Sequence, residues 1–229
     1  MRIVNTVIAS SVLAIAFAAA PASAQSTYTS RATFQAASGT LATETFSGCG
    51  TASTSFNGSV SSTSGPCTGI VAGVTYSPGA GNLYIAGPGQ SSNPTTALGM
   101  DNPSGNPFLI TFAQNKSAFG LDLFQNFGGG SQSGSAAPFT VSFLLSGANV
   151  ASYNFGVASG TGSFFGFTGA IFDTVRVAQT NGYAVIDNVS FGTVAAVPET
   201  ATWGMMIAGF GLMGAAMRNR RRSTKVTFA

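Results

Sequence analysis

The side chains able to do chemistry in this chain are few, and their types restrict what that chemistry is. Among 229 residues there is no histidine. That removes Ser-His-Asp and Cys-His nucleophilic arrangements and every imidazole metal ligand. The carboxylates between Gln25 and Val197 are Glu44, Asp101, Asp122, Asp173 and Asp187. A glycan hydrolase needs only two of these flanking a scissile bond, but each is more simply a surface or strand-end hydrogen-bonding group. Asp173 and Arg176 lie three apart in one strand pattern, so they point to opposite faces and do not pair directly. Asp187 and Asn188, with Asp122 or Asp101, are candidate oxygen ligands for Ca²⁺; the plainer reading is that they cap a turn or face solvent. No catalytic residue is assigned and no cofactor is expected.

Cys49 and Cys67 are the only cysteines. In a chain that leaves the cytoplasm an even pair at this spacing is most simply a disulfide, with free thiols as the alternative. A metal site would need more ligands, and no acidic residue lies between them. Gly128-Gly129-Gly130 precedes no helical pattern, so it reads as a flexible loop and not a phosphate cradle. Tyr76, Tyr84, Tyr153 and Tyr183, with the Phe164, Phe165 and Phe167 run, are candidates for stacking on sugar rings. Core packing is the favoured reading for all of them.

The elements that must position these residues read as strands. Short runs rich in Val, Ile, Phe and Tyr are separated by Gly, Pro, Asn and Ser clusters. They fall at Ile70 to Tyr76, Leu83 to Ala86, Pro107 to Ala113, Ala118 to Phe124, Phe139 to Leu145, Val150 to Phe155, Phe164 to Phe167, Ile171 to Ala178 and Ala184 to Phe191. Phe119, Leu121 and Leu123 alternate with Gly120 and Asp122, the period of a strand with one buried face. Residues Gln25 to Gly69 carry weaker signals, chiefly Thr43 to Phe46, and read as an opening strand plus long loops. No helical periodicity appears between the two termini. The expected fold is all-β, an antiparallel two-sheet sandwich of jelly-roll type spanning residues 25–196.

The ends differ in kind from the middle. Arg2, an apolar stretch from Val7 to Ala20 and the Ala22-Ser23-Ala24 site form a signal peptide over residues 1–24, with cleavage between Ala24 and Gln25. At the other end Val197-Pro198-Glu199-Thr200 and Trp203 lead into an uncharged run from Ala201 to Met217, closed by Arg218, Arg220, Arg221 and Arg222. About 17 uncharged residues stand at the lower limit for one transmembrane helix. The arginines would hold their end in the cytoplasm, leaving residues 223–229 as a cytoplasmic tail. The net charge of +3 comes from these ends. The middle carries three basic residues (Arg31, Lys116, Arg176) against five acidic ones, so no basic patch exists for nucleic acid.

Pro198-Glu199, Trp203, Met205-Met206-Ile207, Gly209-Phe210-Gly211 and the terminal arginines resemble the PEP-CTERM sorting signal. The form resembled is the one continuing Trp-Ala-Met-Met-Ile. Thr200 stands where a second Pro is usual, and Gly204 where Ala is common. The resemblance implies recognition and cleavage by a membrane protease, an exosortase, in bacteria that make exopolysaccharide. It implies an inner-membrane-anchored intermediate and then a surface or extracellular location. The strand order from Pro107 onward is also similar to the ectodomain that many tail-bearing proteins share, and to jelly-roll carbohydrate-binding domains, a fold-level likeness only. Three functions follow as expectations. The favoured one is a non-enzymatic surface or extracellular-matrix protein associated with exopolysaccharide. The others are a carbohydrate-binding module, with an exposed aromatic platform and a Ca²⁺ site, and a carboxylate-only glycan hydrolase.

Overall fold

The structure, a computed structural model, describes residues 24–90, 93–100, 106–125, 137–157, 162–179, 184–194 and 200–221. The chain divides into a β-rich unit, Ser23–Val197, and a second unit that contains the C-terminal helix.

In the β-rich unit the elements follow in the order β1 (Ser26–Tyr28), α1 (Arg31–Ser38), β2 (Ala42–Glu44), a 3-10 turn (Ser47–Cys49), β3 (Thr54–Phe56), β4 (Val60–Ser61), β5 (Val74–Pro78), β6 (Leu83–Ala86), β7 (Ala97–Met100), β8 (Phe108–Gln125), β9 (Ala137–Leu145), β10 (Ala148–Val157), β11 (Gly162–Gln179) and β12 (Ala184–Gly192). The pairings are antiparallel. The expected all-β antiparallel class is therefore present. The expected two sheets are joined: all twelve strands belong to one hydrogen-bonded sheet, ordered β10-β9-β11-β8-β12-β7-β6-β3, with β1, β2, β4 and β5 attached beside that path.

Two long strands make one sheet serve as two layers. The separate runs at Pro107 to Ala113 and Ala118 to Phe124 merge into β8, and those at Phe164 to Phe167 and Ile171 to Ala178 merge into β11. Their pairing with each other slips between Thr168 and Thr174, where β8 passes from Ala118 to Thr111. On one side of that irregularity β8 pairs with β5 and β11 pairs with β9. On the other, β8 pairs with β12 and β11 with β1. Such slips bend and twist a strand, so the halves face each other across a phenylalanine core. Phe143 of β9 stacks on Phe167 of β11 with centroids 4.0 Å apart, and Phe112 of β8 lies 5.0 Å from Phe191 of β12. Phe119, Leu121 and Leu123 all point into this core, as their alternation requires.

Local chemistry accounts for the connections. Ser146 and Gly147 both take positive φ, 51° and 82°, as the two-residue turn joining β9 to β10 demands. Asp173 holds that turn by accepting from the Ser146 N–H at 2.7 Å. The helix α1 was not expected from the sequence. It has only eight residues, of which Phe34 and Ser38 are buried, too few to show a period of 3.6. It docks because Gly120 and Gly166, opposite each other on β8 and β11, leave room for a ring. A Cβ on either glycine would lie 2.8 Å from Phe34.

The second unit contains α2, Thr200–Arg221, 22 residues long. Thr200, read from sequence as part of the extended motif, instead opens this helix. Arg218, Arg220 and Arg221 fall at the C-terminal end of this helix. Among the described residues no helix is long and apolar enough to cross a membrane. The expected spanning segment is thus helical but weak in apolar content, because Gly204, Gly209, Gly211 and Gly214 add length without side-chain surface. Residues 1–23, Asp101, Gly128 to Gly130, Tyr183, Val197, Pro198, Glu199, Arg222 and 223–229 lie outside the described residues.

Candidate functional site

Among the described residues a polar constellation lies on the outward face of β8, β11 and β12, and a bulge in β12 creates it. Asp187 stands opposite Asp122, but the next matched pair is Ser190 with Gly120. Two residues of β12 thus answer one of β8, and Asn188 takes the left-handed conformation at φ 48°. The bulge keeps Ile186, Val189 and Phe191 in the core while Asp187 and Ser190 face outward.

Asp187 is nevertheless fully buried, covered by the Asn93-Pro94-Thr95 turn. Its Oδ2 accepts from Asn93 Nδ2 at 2.9 Å and from the Thr95 hydroxyl at 2.6 Å, and its Oδ1 accepts from the Asn188 N–H at 2.7 Å. Burial raises its carboxyl above the ordinary value of 3.8, and nearby Asp122 adds to this. The three hydrogen bonds pull in the opposite direction without cancelling it.

Beside it Arg31 gathers the neighbouring groups. Its guanidinium pairs with Asp122 Oδ1 at 3.0 Å and donates to Ser190 Oγ at 3.1 Å and to the Asn188 carbonyl at 3.0 Å. It also sits 4.7 Å from the centre of the Phe164 ring. Asn188 Nδ2 donates to Asp122 Oδ2 at 2.9 Å, and Ser190 Oγ meets Thr43 Oγ1 at 2.9 Å. The network therefore ties α1, β2, β8 and β12 together.

These partners change the meaning of the candidate calcium ligands. Asp187 and Asn188 are engaged with Asn93, Thr95 and Asp122, so they act as a structural clasp. Among the described residues no group of three or more acidic, histidine or cysteine side chains comes together around a metal position. The other described carboxylates are also occupied. Glu44 is buried and accepts from the N–H groups of Phe46 and Val71, both at 2.8 Å. Asp173 holds the β9–β10 turn, and its strand neighbour Arg176 is exposed.

The aromatic candidates divide. Tyr76 is fully buried, its hydroxyl has no hydrogen-bond partner, and burial raises its phenol well above the ordinary range, with nearby Glu44 adding to this. Phe165 and Phe167 face the core, while Phe164 turns outward to lie under Phe34 and Arg31. Tyr84 and Tyr153 remain half-exposed. Cys49 and Cys67 form a disulfide, with Cα atoms 4.0 Å apart. Glu44 clamps both ends of the segment containing it.

A cleft of about 390 Å³ opens beside the network, lined by Gln35, Gly39, Thr40, Leu41, Thr43 and Ser190 over the buried Phe34. Among the described residues no charged side chain lines it. Sequence reasoning missed Arg31, Asn93, Thr95 and Ser190. Only Asn93 gives a local signal: Asn-Pro-Thr marks a turn, in which Asn93 Oδ1 accepts from the Thr95 N–H at 3.3 Å.

The β-rich unit with a short helical tail beyond it defines a class: an all-β domain followed by a separate C-terminal targeting element. Residues 196–222 match the family described as the PEP-CTERM protein-sorting motif. The chain carries that sorting signal at its C terminus, which marks it as an exported protein of the kind an exosortase sorts. No curated protein and no solved structure matches the chain.

Proposed function

We propose that this chain is a non-enzymatic surface or extracellular-matrix protein, exported through its N-terminal signal, held at the inner membrane by α2 and cleaved by an exosortase. The observation that carries this reading is the sorting motif at residues 196–222, set just beyond the last described strand residues. Pro198 disfavours helix at the residue before it, and α2 begins at Thr200. In the chain Pro198-Glu199 therefore comes directly before the first residue of the helix, a position a membrane-embedded protease can reach. The uncharged run of about 17 residues is about 26 Å long as a helix, somewhat short of a bilayer core of about 30 Å. Its glycine content suits a temporary anchor better than a permanent one. The non-enzymatic reading is supported by the engagement of Glu44, Asp122, Asp173 and Asp187, which leaves none of them as a free pair of carboxylates. In cells with an exosortase, Glu199→Ala or deletion of Arg218 to Arg222 should leave a larger, membrane-retained form. Mature protein that keeps its full tail in such cells would refute the sorting reading.

One observation favours a second reading, a carbohydrate-binding module for exopolysaccharide. The cleft beside α1 presents the hydroxyl of Thr40 and the amide of Gln35 beside the hydrogen-bonded Thr43–Ser190 pair, neutral groups suited to sugar hydroxyls. Glycan-array binding by residues 25–197, lost on Thr43→Val, would support it.

A further inference from the structure

Removal of the signal peptide would make Gln25 the first residue, and the structure places that residue in defined contacts. Ser26, Thr27 and Tyr28 pair with Thr168, Phe167 and Gly166, so β1 fixes the chain from Ser26 onward. Gly169 at φ 107° permits a close approach: a Cβ there would lie 2.8 Å from Gln25 Cα. The Gln25 side chain reaches across to β10, where the Tyr153 hydroxyl donates to Oε1 at 3.2 Å. The Tyr153 ring is itself held against Phe165 and Phe167, with centroids 6.0 and 5.5 Å away. Desolvation raises its phenol, so the hydroxyl keeps its proton at neutral pH.

We propose that the mature N terminus is a self-modifying site, at which Gln25 cyclises to a pyroglutamyl lactam with the Tyr153 hydroxyl assisting. The inference rests on the export reading above, because the reacting amine does not exist until the bond between Ala24 and Gln25 is cut. The neutral α-amine attacks Cδ of its own side chain and forms the N–Cδ bond of a five-membered ring. Negative charge develops on Oε1, the atom to which Tyr153 donates. The Cδ–Nε2 bond then breaks, and the departing nitrogen takes the proton lost by the α-amine and leaves as ammonia. Nothing is oxidised or reduced, and no co-reactant is needed. The former Oε1 becomes the lactam oxygen. The product has no terminal charge and no free amine, which closes the N terminus to aminopeptidases.

The test is tandem mass spectrometry of the N-terminal peptide from exported full-length protein, followed over time at a pH near the amine value of about 8. The expected peptide begins at Gln25 and lacks one ammonia. Tyr153→Phe should slow its formation roughly tenfold, less than a buried oxyanion donor would contribute because Tyr153 is half-exposed. Wild-type protein unfolded in urea should slow to the same degree, which decides the matter even if the variant folds poorly. A peptide that begins at Gln25 and keeps its amine after incubation overturns the cyclisation, and equal rates in folded, variant and unfolded protein overturn the assistance by Tyr153. A peptide beginning at another residue overturns the cleavage reading itself, and this inference with it.

Discussion

Replacing Asp187 by Asn tests whether the clasp on β12 stabilises the fold as its geometry implies. The change keeps the side chain's shape, so no cavity term enters. In the native chain Asn93 Nδ2, the Thr95 hydroxyl and the Asn188 N–H all point at the carboxyl group. A carboxylic acid can satisfy them all: its proton goes to Thr95 Oγ1, whose own proton turns to Asn93 Oδ1, 3.1 Å away. An amide cannot. Placing its NH₂ toward Thr95 sets it against Asn93 Nδ2, and the reverse flip sets it against the Asn188 N–H. One buried donor is left facing another, which costs about 1–3 kcal/mol. The pH dependence has a definite sign. Because burial raises the folded value above 3.8, the Asp187 contribution is fully present below about pH 4 and declines as pH rises through the folded value. The gap between wild type and Asp187→Asn should therefore be widest in acid and narrow toward neutrality. Urea unfolding followed by circular dichroism at several pH values measures it. A gap that widens with rising pH, or one that never exceeds about 0.5 kcal/mol, the usual effect of a neutral surface change, would refute the reasoning.

Other consequences are equally direct. Reducing Cys49–Cys67, which closes a loop of 18 residues, should lower unfolding free energy by about 3 kcal/mol; two thiols alkylated in the unreduced protein would contradict the bridge. Gly120→Ala drives a Cβ to 2.8 Å from Phe34 and 2.9 Å from Phe164. It should cost about 1–3 kcal/mol and raise hydrogen exchange in α1, and an unchanged unfolding midpoint would show that α1 docks otherwise. For topology, a reporter fused after Ala229 should be cytoplasmic and one inserted before Pro198 periplasmic. Both on one side would exclude a membrane-crossing α2.

Much of the fold was legible along the chain because strands advertise themselves locally. Alternation at Phe119, Leu121 and Leu123 is a property of neighbouring residues, and so is the turn chemistry at Ser146-Gly147. The sorting signal was legible for the same reason: motif, uncharged run and arginines are contiguous. The helix α1 was not, because two turns carry no measurable period and its docking depends on Gly120 and Gly166, far away in the chain. The breaks inside β8 and β11 were read as ends of strands, since glycine and polar residues interrupt the apolar pattern whether a strand stops or only bends.

What the sequence by itself determined is the chemistry this chain lacks and the address it carries. Without histidine no imidazole chemistry is possible in any fold, and a targeting element is read as a linear string. Only the tertiary structure decided what the polar residues do. Asp187 and Asn188 look like metal ligands in one dimension, because oxygen ligands and hydrogen-bond acceptors are the same atoms. Their role is set by Asn93, Thr95, Asp122 and Arg31, which reach them through pairings separated by 66 to 157 residues. Burial then turns a group that would titrate like any surface aspartate into a neutral-favouring clasp, and burial is a property of the folded whole.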